Sequence, residues 1–316
     1  EHRLDAWGTR WLHRRLRRQR PSARLADIWH NLQPFGRAPG EGVVRAARWR
    51  VPMARQFDTV FVHGAQLARD FEALTGRSAH PIPHGNQDWL AELAGADPRL
   101  DERLRLPADR PLGLLLGALS PYKGVEGLLA ALALTPPARR PCILIAGMPT
   151  AGAPGAAWRQ EAARRGLDPW LVWDLRYVPS GEIAWYFRRA DFVVLPYRAA
   201  AQSGVAHLAL SFGRPLLVTA VGGLPELIDG NGLVVPPDDP AALAQALEQM
   251  SGDAERRRRW GQQSRQLAVV RHGWPVIARQ VLAAAAPQLL PPEGEAECYQ
   301  GMAAKEGARG VEVASE

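Results

Sequence analysis

The sequence predicts an α/β protein made of two units, each built around a parallel sheet. From residue 109 to residue 275, short apolar runs alternate with segments of helical spacing, which is typical of a parallel sheet covered by helices. The chain has 316 residues, 47% of them hydrophobic, which is long and apolar enough for two such units.

One stretch, residues 191–226, contains the order strand, loop, helix, strand and loop. The apolar run 192–195 ends at a proline, which fits a buried strand, and Ser203-Gly204 opens the helix that follows. The strand after this helix is followed by Gly222-Gly223. In an open parallel sheet, ligands bind where strand ends meet helix starts, and a helix start favours anions. The stretch therefore predicts a site for a diphosphate.

A second loop of the same kind carries a lysine. The run 112–117 reads as a buried parallel strand, Lys123 lies in the loop behind it, and a helix follows over 125–134. An ammonium group in such a loop supplies a point charge to a phosphate. Because both loops follow parallel strands, we expect Lys123 and Ser203 to lie at the same edge of one sheet.

These motifs also resemble a known family. The donor-binding half of glycosyltransferase family 4, in its QSG-type branch, is similar to LPYRAAAQSGVAHLALSFGRPLLVTAVGGLPELI and GNGLVVPPDDPAALAQAL. The first strand and lysine loop of that half resemble GALSPYKGVEGLLAAL at 117–132, and part of its acceptor-side domain resembles WHNLQPFG at 29–36. The resemblance covers residues 25–285 and implies the GT-B fold, in which two Rossmann-like parallel-sheet domains face a cleft.

The resemblance implies an activity and its partners. We expect a glycosyltransferase of the hexosyltransferase type that moves a sugar from a nucleotide-diphosphate sugar to a saccharide or lipid-linked acceptor. Its role would be in the synthesis of bacterial cell-surface polysaccharide or glycolipid. The family needs no cofactor beyond the nucleotide-sugar co-substrate, and no Asp-x-Asp pair is present to hold a sugar-nucleotide metal, so we expect a metal-independent enzyme with no nucleic-acid partner.

The resemblance also implies roles for individual residues. Those with expected catalytic roles are His30 and Lys123. Those expected to bind the donor diphosphate are Lys123, Gln202, Ser203, Gly204 and Val205. Those expected on the sugar or ribose side are Gly222, Gly223 and Glu226, and those on the nucleobase side are Tyr177 and Val178. Those expected elsewhere in the cleft are Asn31, His84 and Gly85.

The sequence departs from the family at three positions. Many members carry two glutamates around the helix that Ser203-Gly204 opens, where this chain has Ala200 and Leu208. The family's usual arginine in the lysine loop is also absent, with Ala118 in its position. Two other functions therefore stay open. One is a nucleotide-sugar 2-epimerase, an isomerase that shares the fold, and the other is a degenerate GT-B protein that binds nucleotide sugars without catalysis.

The chain is expected to divide into four segments. A partial acceptor-side domain over 1–108 precedes a nucleotide-sugar-binding domain over 109–275. A crossover helix over 276–290 would return to the first domain, and the tail 291–316, rich in Pro, Gly, Glu and Ala, is expected to be disordered. Since the chain begins with Glu1 inside a helical pattern, we interpret the first domain as lacking its opening strands.

Charge and cysteine content bear on location. The formal net charge is +7 and the pI is about 10.1, which fits either an arginine-rich genome or contact with anionic lipid and phosphate. Trp7 and Trp11 recur at helical spacing among arginines, so the first helix is either a surface helix or a peripheral anchor at an anionic membrane. Cys142 and Cys298 are too few for a disulfide framework, which favours a cytoplasmic setting, peripheral at most to the inner face of the membrane.

Overall fold

The computed structural model describes most of the chain, and for residues 2–10 it describes only the helical backbone. The described residues are 2–20, 22–30, 32, 51–92, 97–150 and 152–290. The expected disordered tail, Asn31 and Cys298 therefore lie outside the described residues.

The chain divides into two compact units. One comprises Glu1–His84 together with Gly273–Glu316, and the other is Gly85–His272. Residues 85–108, which the sequence placed in the first domain, thus belong to the second unit. The physical reason is that Leu90, Leu100 and Leu104 are buried in the hydrophobic core of the second unit.

The first unit contains a parallel sheet of three described strands in the order β1-β2-β3. The strands are β1 (Ala26–Trp29), β2 (Thr59–His63) and β3 (His80–Ile82). The described helices of this unit include His2–Gln19, Ala65–Thr75 and Trp274–Ala285. Ile277 of the helix Trp274–Ala285 packs against Phe61 and Ile82, so this helix returns to the sheet.

The second unit contains a parallel sheet of six strands in the order β6-β5-β4-β7-β8-β9. The strands are β4 (Leu112–Leu116), β5 (Cys142–Ala146), β6 (Leu171–Asp174), β7 (Phe192–Leu195), β8 (Leu216–Thr219) and β9 (Gly232–Val235). Along the chain, β5 and β6 are added on one side of β4, and β7 then pairs with the other side of β4. This reversal makes the carboxyl ends of β4 and β7 a topological switch point, where ligands bind in doubly wound sheets.

Helices cover both faces of this sheet. They are Asp88–Glu92, Pro98–Leu104, Val125–Leu134, Gly155–Arg164, Ser180–Arg189, Gly204–Ser211, Pro240–Gly252 and Ala254–Val270. Two hydrophobic cores result, one on each face, and the central strands β4, β5 and β7 are buried along their whole length. Within the described residues, no helix has the length and apolar character that crossing a membrane requires.

Candidate functional site

Lys123 lies at the switch point of the second unit. It ends a short 3₁₀ helix, Pro121–Lys123, in the loop after β4, and its side chain is only 6% exposed. The ammonium Nζ donates hydrogen bonds to the carbonyl oxygen of Leu116 at 3.2 Å and to the hydroxyl of Tyr197 at 2.8 Å. Because an ammonium group has three donors, one remains for a ligand oxygen.

Tyr197 joins the lysine loop to the loop after β7. Its side chain is buried, its ring centre lies 4.7 Å from Lys123 Nζ, and its hydroxyl also hydrogen-bonds to Ser203. Burial raises the pKa of Tyr197 and lowers the pKa of Lys123. An incoming anion would replace the hydration that Lys123 has lost, so the burial favours occupation of the site by negative charge.

Ser203 starts the helix that faces this lysine. The helix runs over Gly204–Ser211, and the Ser203 hydroxyl accepts a hydrogen bond from the backbone N–H of Ala206 at 3.3 Å. A methyl of Val205 lies 3.6 Å from the position a Cβ on Gly117 would occupy, next to Lys123 Nζ. The structure thus brings Lys123, Ser203 and Val205 together, at a helix start whose first N–H groups and dipole favour an anion.

Leu208 and Ala200 stand where, by the resemblance, many family members carry glutamates. Leu208 is buried in the core on the inner side of the central helix, and Ala200 packs against the same core. These positions are therefore filled by apolar packing in this chain. No carboxylate at either of them can contact a sugar or a ribose.

Gly222 and Gly223 lie directly against the loop after β7. The N–H of Gly223 donates to the carbonyl oxygen of Ala201 at 3.0 Å. A Cβ on Gly222 would lie 1.7 Å from the carbonyl oxygen of Ala200, and one on Gly223 would lie 2.3 Å from the side-chain nitrogen of Gln202. Close packing between the two loops thus explains why both residues are glycine, and their contact with a sugar stays a prediction.

The remaining donor-side candidates follow β8 and β6. Glu226 is exposed on the 3₁₀ helix Pro225–Leu227. Tyr177 is 67% exposed, whereas Val178 packs against the core. Of the two side chains, only that of Tyr177 is therefore open to a ligand.

A network of charges fixes the end of β6 beside Tyr177. The carboxylate of Asp174 accepts two hydrogen bonds from Arg103, at 2.7 and 2.9 Å, and one from Arg176 at 3.1 Å. Burial acts to raise the pKa of Asp174, but the hydrogen bonds from Arg103 and Tyr186 outweigh it and lower that pKa. The backbone that presents Tyr177 is therefore anchored by a buried, ionised carboxylate.

Three histidines of the first unit lie at the carboxyl edge of its sheet, and two of them, His30 and His84, are predicted site residues. His30 follows β1, His63 ends β2 and His84 comes two residues after β3. His63 Nε2 lies 3.0 Å from His30 Nδ1, and the ring centres of His63 and His84 are 5.1 Å apart. Gly85 is buried at the start of the second unit.

Neither unit shows a metal centre among its described side chains. Within those residues, no group of three or more His, Cys, Asp or Glu side chains is arranged to hold a metal ion. The positive charge that the donor-side site offers is that of Lys123 and of the helix start at Ser203.

Comparison with known proteins identifies the class of the second unit. Residues 110–253 match the family described as Glycosyl transferases group 1. The glycosyltransferase resemblance seen in the sequence is confirmed at this level. Its assignment to family 4 and to the QSG-type branch stays a prediction.

Two curated relatives carry the same name. The D-inositol 3-phosphate glycosyltransferase of Xylanimonas cellulosilytica is 33% identical over 265 residues, which are 79% of this chain and 60% of the relative. That of Streptomyces avermitilis is 31% identical over 228 residues, or 67% of this chain and 47% of the relative. The chain thus spans about half to 60% of the length of these relatives.

Solved structures confirm the predicted fold class. Sucrose-phosphate synthase from Thermosynechococcus elongatus aligns with a TM-score of 0.70 at 23% identity, covering 90% of this chain and 71% of that one. HepE from Anabaena, in complex with UDP-glucose, aligns with a TM-score of 0.68 at 21% identity, covering 82% and 71%. The fold is that of the GT-B glycosyltransferases.

Two residues of these clusters were not singled out from the sequence. Neither Tyr197 nor His63 is among the site residues that the sequence predicts. The sequence held a signal for both, since His63 ends a buried parallel strand and Tyr197 comes two residues after another, where side chains at the carboxyl edge converge. Only the strand order shows that Tyr197 neighbours Lys123, 74 positions earlier in the chain.

Proposed function

We propose that this chain transfers a sugar from a nucleotide-diphosphate sugar to a saccharide or lipid-linked acceptor. The observation that carries the proposal is the cluster of Lys123, Tyr197 and Ser203 at the switch point of a Glycosyl transferases group 1 domain. Breaking the bond between sugar and diphosphate places growing negative charge on the diphosphate, and a buried ammonium beside a helix start stabilises that charge.

Lysine identity at position 123 supports the assignment. The sequence contains only two lysines, Lys123 and Lys305, and uses arginine at all its other Lys or Arg positions. The buried space around Lys123 holds a compact ammonium between Leu116 and Tyr197. A guanidinium carries five donors, and the two acceptors here, the Leu116 carbonyl and the Tyr197 hydroxyl, suit an ammonium better.

Gln202, Gly204 and Val205 complete the proposed diphosphate site through the helix start and its flanking loop. We place the sugar or ribose beside Gly222, Gly223 and Glu226, and the nucleobase beside Tyr177. A uracil nucleotide is our first candidate donor, because the structure of HepE was determined with UDP-glucose. With positive charge supplied by Lys123 and the helix start, we propose that the reaction proceeds without a metal.

His30, Asn31, His84 and Gly85 are our candidates for the acceptor and sugar side. We further propose that the product belongs to a cell-surface polysaccharide or glycolipid, and that transfer takes place in the cytoplasm at the inner face of an anionic membrane. The exposed Trp11 and the arginines of the helix His2–Gln19 support membrane contact.

Incubation with radiolabelled nucleotide sugars tests the transferase assignment. We expect transfer to an added acceptor or slow hydrolysis of the donor by the wild-type chain, and a loss of at least about tenfold in the Lys123→Ala variant. Conversion of the donor into its 2-epimer would show an isomerase instead. Donor binding without any turnover would show a non-catalytic protein, and either result would overturn the proposal.

A further inference from the structure

Gln87 of the second unit lies beside the helix Gly204–Ser211. Its backbone N–H donates a hydrogen bond to the hydroxyl of Ser211, the last residue of that helix, at 2.9 Å. Its side-chain nitrogen Nε2 lies 3.8 Å from the position that a Cβ on Gly204, the first residue of the helix, would occupy. The side chain therefore extends along the helix from its end to its start, towards the diphosphate site.

The residues on both sides of Gln87 hold its backbone in place. The backbone N–H of Asn86 donates to the carbonyl oxygen of His272 at 2.8 Å. The carboxylate of Asp88 pairs with the guanidinium of Arg265 at 2.5 Å. The Gln87 side chain thus starts from a fixed point, so the position of its amide group is a property of the fold.

The amide group of Gln87 has no hydrogen-bond partner within the described residues, although the residue is half-buried. A polar group that loses part of its hydration and gains no hydrogen bond costs free energy. Its NH2 nitrogen, and not its oxygen, is the amide atom within 4 Å of the Gly204 Cβ position. A ligand oxygen at the helix start would supply the missing acceptor.

Gly204 leaves space for such a ligand. Its backbone is not in the left-handed conformation, and a Cβ there would meet Gln87 only at an ordinary contact distance. Contacts among the described residues therefore do not require a glycine at this position, unlike at Gly222, where a Cβ would collide with the Ala200 carbonyl. In the same part of the chain, the N–H groups of Gly204 and Val205 have no acceptor. Open space, two backbone donors and the Gln87 amide thus meet at the helix start.

We propose that Gln87 is a binding residue whose amide NH2 donates a hydrogen bond to a diphosphate oxygen of the donor. The inference rests on the proposed function, because it takes the ligand to be a nucleotide-diphosphate sugar. Leu208, one turn along the helix from Gly204, is apolar and buried. A polar side chain on this face of the helix therefore comes from another segment, and Gln87 supplies it from the turn before Asp88–Glu92.

Substitutions that change the charge at position 87 test the contact. The measurement is calorimetric titration with uridine, guanosine and adenosine diphosphates. Gln87→Ala removes the donor, so we expect the preferred nucleotide to bind about tenfold more weakly. Gln87→Glu keeps the shape but brings a negative charge to the phosphates, so we expect a further loss of about fivefold or more. Gln87→Lys brings a positive charge and should bind at least as tightly as the wild type.

Gln249→Glu and Gln249→Lys are the matched controls, because they change the net charge by the same amounts at an exposed position. Gln249 follows Glu248, which pairs with Arg139 just before β5, at the opposite edge of the sheet. Both controls should bind as the wild type does. Urea denaturation shows whether each variant is folded.

The order of affinities among the folded variants decides the proposal. Unchanged affinity in all three Gln87 variants would overturn it, and an equal loss in all three would reduce Gln87 to a packing residue. Tighter binding by Gln87→Glu than by Gln87→Lys would show that the amide oxygen accepts a hydroxyl instead, which also overturns it. If the wild type binds none of the three nucleotides, the proposed function is contradicted together with this inference, whereas binding that is insensitive to Gln87 contradicts this inference alone.

Discussion

At the scale of single residues, the buried contact between Lys123 and Tyr197 connects the two loops of the donor-side site. The lysine alone follows from the sequence, because a basic residue after a parallel strand is a recognisable phosphate ligand. The partner, Tyr197, does not follow from the sequence, because an aromatic residue after a strand suggests core packing. Only the fold shows that its hydroxyl contacts Lys123. The two residues come from strands that neighbour each other only after the sheet reverses direction.

Replacing Tyr197 with phenylalanine tests the internal part of this contact. The variant leaves a buried ammonium with one acceptor fewer, so we expect the free energy of unfolding to fall by about 1–3 kcal/mol. Urea denaturation measures it, with Tyr177→Phe as the control, because that exposed ring should change stability by less than about 0.5 kcal/mol. Equal stability of the two variants would show that the Tyr197 hydroxyl contributes nothing to the cluster.

At the scale of elements, Gly222 and Gly223 allow the loop after β8 to pack closely against the loop after β7. The family resemblance implies that Gly222 and Gly223 lie on the sugar or ribose side of the site. The structure shows a second constraint, since a Cβ on Gly222 would collide with the Ala200 carbonyl and one on Gly223 with the side chain of Gln202. Such loop–loop packing depends on which strands are neighbours, so a local pattern of glycines cannot distinguish it from a ligand contact.

Gly222→Ala should therefore be more damaging than the same change at Gly230. Both residues have positive φ, 51° and 72°, so both variants carry backbone strain. At Gly222 the new Cβ would also collide with the backbone carbonyl of Ala200. At Gly230 the atom nearest to the new Cβ is a side-chain carbon 3.8 Å away. We expect Gly222→Ala to lower the free energy of unfolding by roughly 2–5 kcal/mol and Gly230→Ala by about 1 kcal/mol. Similar losses in urea denaturation would refute the loop–loop account.

The first helix presents a different surface. Trp11 is 54% exposed, and the guanidinium of Arg15 lies 5.2 Å from the centre of its ring. Arg17 pairs with Asp58 at 2.9 Å, so the arginines of this helix do not all have the same role. A basic face with an exposed aromatic ring fits either an ordinary surface helix or an anionic lipid surface, and the sequence left both open.

Vesicle co-sedimentation decides between these alternatives. We expect binding to vesicles with anionic lipid that weakens with salt, and a loss of about 2 kcal/mol, or roughly 30-fold, when Arg14 and Arg18 are changed to glutamine. The matched control changes Arg258 and Arg259, on a helix of the second unit, in the same way. Binding that is equal for neutral and anionic vesicles, or equal in the two variants, would mean that this helix is only a protein surface.

At the scale of the whole molecule, the sequence predicted the fold class because apolar runs and helical spacing are local signals. It also placed the helix that begins after Ser203 and the lysine loop after β4. It placed the boundary between the units after residue 108, whereas the structure places it after His84, because Leu90, Leu100 and Leu104 are buried in the second core. Boundaries depend on which core buries a side chain, and that is a tertiary property.

The same distinction applies to the candidate site. Residues carried by strong motifs, Lys123 and Ser203, lie together as expected. Side chains whose role depends on a neighbour from another strand, Tyr197 and His63, required the structure. Local sequence shows which loops meet at a sheet edge, whereas hydrogen-bond partners follow from the order and register of the strands.

Calorimetric titration of uridine diphosphate, and of guanosine and adenosine diphosphates for comparison, tests the central claim most directly. We expect Lys123→Ala to weaken the preferred nucleotide by about 1–3 kcal/mol, or roughly 5- to 150-fold, because a charge-assisted hydrogen bond is lost. Arg139→Ala removes the same charge from an exposed side chain just before β5, at the opposite edge of the sheet, and should bind as the wild type does. Unchanged affinity in a folded Lys123→Ala variant, or no binding of any of the three nucleotides by the wild type, would contradict the account.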